Sequence, residues 1–131
     1  MSDSLITKRA LAKTLKELCQ YRNFEKISIN DLTNKCGLNR QTFYYHFQDK
    51  YDLLQWLYYD ELFADIENII TFDNWDQCLL TVLEKIYQEK DFYSNDSHNL
   101  ILYFKDKSKR TRLNQLFFVA CVEKSLKHKY S

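Results

Sequence analysis

Leu11, Leu15, Leu18 and Cys19 recur at i, i+4, i+7 and i+8, which predicts a first helix from about Ser4 to Arg22 with one apolar stripe. A polar bend, "YRNFEK", follows. Ser28 then stands before "INDLTNKC" with Asp31 three residues on, the pattern of an N-cap with an acidic partner, and predicts a short second helix. It should end at Gly37, because glycine takes the left-handed conformation that closes a helix at almost no penalty. Asn39 is placed to cap a third short helix, "RQTFYYHF". Asp49, with Asp52 three residues later, opens a long fourth helix with Leu54, Leu57, Tyr58, Leu62, Ile66 and Ile69 on its inner face. After an Asp73 cap, Trp75, Cys78, Leu79, Val82, Leu83, Ile86 and Tyr87 keep helical spacing and predict a deeply packed fifth helix. "SNDSHN" reads as a loop before a sixth helix, "LILYF". A polar "KDKSKRTR" precedes a last helix built on Leu113, Leu116, Phe117, Ala120 and Cys121.

Composition agrees with this all-α pattern. One glycine and no proline in 131 residues leave few of the residues that tight strand connections need. Hydrophobic residues at 45% and charged residues at 28% are those of a folded chain, not a disordered one. Charge changes the picture more. Residues 1–51 hold nine Lys/Arg against five Asp/Glu, residues 52–104 two against eleven, and residues 105–131 eight against two. A basic front before an acidic middle points to a polyanion met by the front alone.

The four cysteines, Cys19, Cys36, Cys78 and Cys121, are single and sit among apolar residues, so they read as small buried hydrophobes. His46, His98 and His128 are too scattered to imply a metal site, and Asp96 with His98 reads as a polar loop. No phosphate-cradling glycine loop or nucleophile constellation is present, so neither an enzyme nor a cofactor is expected. The start of the chain alternates charge with leucine, and no stretch approaches 18 apolar residues. No membrane span is therefore expected, and the cytoplasm is the expected compartment.

Two short helices flanking a glycine turn form a helix-turn-helix, whose second helix enters the major groove of DNA. Ile29, Leu32, Cys36, Leu38, Phe43 and Phe47 supply its apolar support. Arg40, Gln41, Thr42, Tyr45 and His46 are left facing outward. Arg bonds guanine at two points, Gln does the same for adenine, and Thr offers a methyl or a hydroxyl to a base edge. Hydroxyls and His46 suit phosphates, with Lys26, Lys35, Arg40 and Lys50 as the cationic reserve.

Over about Leu5 to Leu57, and most specifically over "ISINDLTNKCGLNRQTFYYHFQDKYDLL", the chain resembles the DNA-binding domain of TetR/AcrR-type transcriptional regulators. Ile29, Leu32, Gly37, Thr42, Phe43, Tyr44, His46, Phe47, Lys50 and Leu53 meet that family's pattern. The resemblance implies DNA contacts from Arg40, Gln41, Thr42, Tyr45 and His46, support of the helix and a phosphate contact from Tyr44, and a phosphate contact from Lys50; Ser28 and Asn39 are expected to meet the DNA as well. "NRQTFYYHFQDKYDLLQW" is similar to the subgroup that includes regulators of dihydroxyacetone-kinase operons, some of which activate through a protein co-regulator.

The expected architecture is a helix-turn-helix DNA-binding domain over residues 1–50 and a helical regulatory and dimerisation domain over residues 51–131. The expected function is a homodimeric repressor on a double-stranded operator, with a small-molecule or protein effector on the body. Trp56, Tyr59, Phe63, Trp75, Tyr87 and Tyr103 are the candidate lining of an effector pocket, against ordinary core packing of the same aromatics. The alternatives are an activator acting through a protein co-regulator, or an interaction protein that keeps the helix-turn-helix fold.

Overall fold

The computed structural model describes residues 3–95 and 97–105, with the side chains of residues 104 and 105 excepted. The predicted last helix, Cys121, His128, Asp96 and most of "KDKSKRTR" lie outside the described residues. All regular structure among the described residues is helical: α1 (Asp3–Cys19), α2 (Ile29–Cys36), α3 (Arg40–His46), α4 (Lys50–Tyr58), α5 (Trp75–Gln88), α6 (Lys90–Asn95) and α7 (Ser97–Lys105). A 3-10 turn at Phe24–Lys26 precedes α2, and a π-helical turn at Tyr59–Phe63 extends α4.

Three of these helices, α2, α3 and α4, start on the capping residues that the sequence predicts, and α2 stops on its predicted glycine, whereas α1 ends at Cys19, short of the expected Arg22. Ser28 Oγ accepts the Asp31 backbone N–H at 3.1 Å, and Asp31 Oδ2 accepts the Ser28 N–H at 2.9 Å, a reciprocal capping box. The Ser28 backbone N–H and then its hydroxyl, followed by the Arg22 guanidinium, hold the Asp31 carboxyl below the usual carboxylate range. Gly37 ends α2 at φ 73°, ψ 26°, and its N–H bonds back to the Asn34 carbonyl. Asn39 Oδ1 accepts the Thr42 N–H at 2.8 Å to open α3, and Asp49 Oδ1 accepts the Asp52 N–H at 2.8 Å to open α4.

The Gly37 backbone leads to a test. A Cβ built there meets nothing within 4 Å, so the obstacle to a side chain is torsional, not steric. Gly37→Val should destabilise by about 1–3 kcal/mol, whereas Gly37→Asn, which tolerates the left-handed region, should cost clearly less. Equal unfolding midpoints for the two variants in urea would show that this conformation is not required.

A single buried cluster runs from Leu11, Leu15 and Leu18 of α1 through Leu32 and Phe43 to Leu53, Leu54, Leu57 and Tyr58 of α4. It continues to Val82, Tyr93 and Tyr103. α1 packs on both α2 and α4, and so ties the helix-turn-helix to everything after it. Lys50 Nζ reaches back from α4 to donate to three backbone carbonyls, those of Phe24 (2.9 Å), Glu25 (3.1 Å) and Ile27 (3.0 Å).

Four expectations are corrected. The fourth helix is not continuous: the Ala64 N–H bonds the Tyr59 carbonyl five residues back, at 3.0 Å, and irregular turns follow. That one extra residue delays the phase of the inner face, so Ile70 is buried and Ile69 is exposed. Asn74, not Asp73, precedes the first residue of α5; its Oδ1 accepts the Thr71 N–H and its amide donates to the Ile69 carbonyl, both at 2.7 Å. The segment read as the loop "SNDSHN" instead closes α6, a six-residue helix too short for a spacing pattern to reveal, and opens α7, which carries the predicted "LILYF". Finally, α5 buries Cys78 and Val82 but leaves Leu83 and Tyr87 in solvent. Apolar spacing identifies a helix face and does not say what covers it.

Candidate nucleic-acid interface

Phe43 is fully buried and Phe47 nearly so, and together they seat α3 on the core with ring centroids 5.9 Å apart. With these two positions turned inward, the seven-residue helix must turn Arg40, Gln41, Tyr44 and Tyr45 outward, and all four are exposed. Tyr45 is exposed by 83%, more than Tyr44 at 48%. Its ring stands edge-on to His46 with centroids 5.0 Å apart. Arg40 donates from Nη2 to the Tyr44 hydroxyl at 3.2 Å, with its guanidinium 5.8 Å over the Tyr44 ring. This holds the guanidinium near the surface in a preset direction, and it keeps other N–H donors to offer.

The remaining predicted residues have structural partners as well. Thr42 donates both its N–H and its hydroxyl to Asn39 Oδ1, at 2.8 and 2.9 Å, so the polar atoms of this pair shape the start of α3. Ser28 is engaged in the capping box at the start of α2. Lys50 directs all three donors of its ammonium at carbonyls and lies 4.6 Å over the Phe24 ring. In this geometry it fastens the 3-10 turn to α4. Lys35 lies 3.5 Å from Glu17, while Lys26 is exposed.

Two residues that sequence spacing does not single out lie beside α3. Ser4 Oγ is 3.4 Å from His46 Nδ1, and Lys8 holds its ammonium 5.8 Å from the rings of both Phe47 and Trp56. The first turns of α1 therefore flank the C-terminal end of α3. Their only signal in the sequence is a hydroxyl and a lysine on the polar side of α1, which many exposed helix faces carry.

Of the six aromatics expected to line a pocket, Tyr59, Phe63 and Tyr103 lie near one another. Phe63 stacks on Tyr103 with centroids 6.1 Å apart, and Trp56 stands edge-on to Phe47 at 6.1 Å. Tyr59 donates to Glu67, Trp75 packs against the core, and Tyr87 is 71% exposed. The Glu67 partner and burial push the Tyr59 phenol up to about 12, and burial does the same at Tyr103.

A cavity of about 450 Å³ lies elsewhere, between the end of α1 and α6, and is lined by Lys16, Cys19, Gln20, Glu89, Asp91, Phe92 and Asn95. Beside it, Lys16 donates to Glu61 at 2.7 Å and to Glu89 at 2.6 Å, and the Tyr93 hydroxyl donates to Glu61 at 2.7 Å. Asn95 donates its amide to the Cys19 carbonyl at 2.8 Å, and its buried Oδ1 has no protein partner. Burial, then Asp76, raises the Cys78 thiol, which suits a packing role and not a nucleophile. Among the described residues no cluster of three or more His, Cys, Asp or Glu is arranged to hold a metal ion, and no helix is long and apolar enough to cross a membrane.

Comparison with known proteins adds two findings. Residues 11–57 match the family model described as "Bacterial regulatory proteins, tetR family". The chain is also similar to the HTH-type dhaKLM operon transcriptional activator DhaS of Lactococcus lactis subsp. lactis (strain IL1403), 31% identical over 93 residues. That alignment takes in 71% of this chain and 50% of the relative, so the chain spans about half the length of the curated protein it matches.

Proposed function

We propose, from the match of residues 11–57 to the tetR family of bacterial regulatory proteins, that the chain is a sequence-specific regulator of transcription of that family. It binds double-stranded DNA in the bacterial cytoplasm as a homodimer, each copy laying α3 into the major groove. The observation that carries this reading is the division of labour on α3: Phe43 and Phe47 turn into the core, which leaves Arg40, Gln41, Tyr44 and Tyr45 as one exposed surface. Arg40 and Gln41, in the first turn, read base edges, and Tyr44, Tyr45 and His46 meet the phosphates. Two such helices held about 34 Å apart read half-sites one duplex turn apart.

Activation, not the repression expected from the sequence, is the sign we assign, because the relative at 31% identity is named a transcriptional activator. An effector of the body, whether a small molecule or a protein, acts through α1. Lys16 on α1 holds Glu61 and Glu89, and Asn95 holds the α1 C-terminus, so a shift in α5 or α6 is passed to the helix on which α2 packs.

Selection of bound duplexes from a random pool tests the reading. A recovered palindrome with half-sites one turn apart is the expected result, and a pool that never enriches at low salt removes it. Within the recovered site, Arg40→Ala and Gln41→Ala should each lose about 1–3 kcal/mol of discrimination at one base pair per half-site while non-specific binding stays nearly level. A loss shared equally by all duplexes would reassign these residues to the backbone.

A further inference from the structure

The first two turns of α1 bring a hydroxyl and an ammonium to the end of α3 that carries His46. Ser4 is exposed, and its Oγ lies 3.4 Å from His46 Nδ1. Lys8, one turn further along the same face of α1, holds Nζ 5.8 Å from the ring centroids of both Phe47 and Trp56. Two other cations of this helix are engaged by carboxylates: Arg9 pairs with Asp60, and Lys16 with Glu61 and Glu89. Among the described residues no carboxylate pairs with Lys8. The two rings hold its ammonium in place without cancelling the charge, because an aromatic face attracts a cation but carries no net charge of its own. Such a group suits an anion that comes from outside the chain.

We propose that Ser4, Lys8 and His46 form one phosphate-binding patch, which grips the DNA backbone at the wall of the groove that α3 enters. The proposal rests on the DNA-binding reading above and adds Ser4 and Lys8 to it. Both lie before residue 11, where the match to the family model begins, so that match assigns them nothing. Lys8 supplies the charge. His46 supplies a directed donor, and Ser4 positions it: with Nδ1 turned to the Ser4 hydroxyl, Nε2 is the ring nitrogen left for a ligand. A phosphodiester oxygen only accepts, so it selects the tautomer with the proton on Nε2, and the Ser4 hydroxyl rotates to donate to Nδ1. The place on the helix fits as well. His46 is six residues past Arg40, about 9 Å along the axis, and the major groove is about 12 Å wide. With Arg40 and Gln41 at the base edges, the His46 end of α3 reaches the sugar-phosphate wall.

Binding of the 131-residue chain to the selected duplex, and to an unrelated duplex of the same length, is measured by fluorescence anisotropy between about 50 and 200 mM salt. Lys8→Gln should reduce the slope of log affinity against log salt by about 0.9 per bound chain on both duplexes, and Lys8→Arg should keep the wild-type slope. Ser4→Ala removes no charge, so it should keep the slope yet weaken binding about three- to tenfold. Ser4→Thr retains the hydroxyl and should recover most of that loss. In a His46→Gln background the further loss from Ser4→Ala should shrink to less than about twofold, because the group that Ser4 positions is gone. Melting temperatures of the Ser4 and Lys8 variants should stay within a few degrees of the wild type.

A salt slope unchanged by Lys8→Gln, or a fall in melting temperature that accounts for its lost affinity, assigns Lys8 to packing on Phe47 and Trp56 and overturns the patch. A Ser4→Ala loss of equal size with and without the His46 ring overturns the positioning role. A wild-type chain that binds neither duplex at low salt removes the DNA-binding reading, and the patch with it. Ser4 and Lys8 variants that bind as tightly as the wild type leave that reading standing and strike only the patch.

Discussion

Lys50→Met is expected to destabilise the protein by about 2–3 kcal/mol, a fall in melting temperature on the order of 10 °C for a chain of this size. Methionine keeps most of the stem that covers the Phe24 ring but has no donor for the carbonyls of Phe24, Glu25 and Ile27. The Phe24 carbonyl also closes the 3-10 turn by accepting the Ile27 N–H, and that turn leads into the capped start of α2, so α2 loses its footing with them. Resemblance to the family assigns Lys50 instead to a DNA phosphate. The two roles separate cleanly: loss of a phosphate-bound lysine lowers the salt slope of DNA binding by about one counterion, with the melting temperature held. That outcome would establish the phosphate role and discard the structural one.

The other large effect is expected from Lys16→Met. Lys16 is mostly buried and accounts for two carboxylates, Glu61 and Glu89, the first of which also accepts from Tyr93. Burial alone would lower the Lys16 pKa, but its bonds to Glu61 and Glu89 win and raise it above its ordinary value. Without the ammonium, two neighbouring carboxylates are left uncompensated. A loss of about 2–3 kcal/mol follows, less than a fully buried pair would give because solvent still reaches the site. Adding Glu89→Gln should restore part of it. A lysine whose folded pKa is raised stabilises fully below its unfolded pKa and loses that contribution only as pH rises through the folded value. The gap between wild type and variant should therefore stay constant from neutral pH to about pH 9. A change within the few tenths of a kcal/mol typical of surface pairs would show that α1 and α6 are not coupled through this residue.

What the sequence disclosed was whatever depends on neighbours within a turn or two. Ser28 with Asp31, Asn39, Gly37, and Asp49 with Asp52 each act on backbone groups three or four residues away, and each performs as its type and spacing predict. The outward set on α3 was legible for the same reason, since Phe43 and Phe47 fix the helix phase. Lys50 was not, because its three carbonyls lie more than twenty residues upstream and nothing local announces them. Nor was the fate of α5: Val82 and Leu83 are both apolar and adjacent, and only the packing of other helices decides which one is buried. The pairing of Lys16 with Glu61 and Glu89 was likewise hidden, as forty-five and seventy-three residues separate the partners.

The π-helical turn at Tyr59–Phe63 bears on descent as well as on shape. The turn holds one residue more than an α-helical hydrogen-bond ladder needs, which sets the phase of everything after it. Removing one residue from this turn would close the ladder and rotate everything after it by about 100° around the helix axis. The burial of Leu62, Ile66 and Ile70, and the reach of Glu61 to Lys16, all depend on the surplus residue being kept. Relatives that lack it must therefore place their following apolar positions one step earlier, and an alignment that forces the two groups into register without a gap here will pair buried positions with exposed ones.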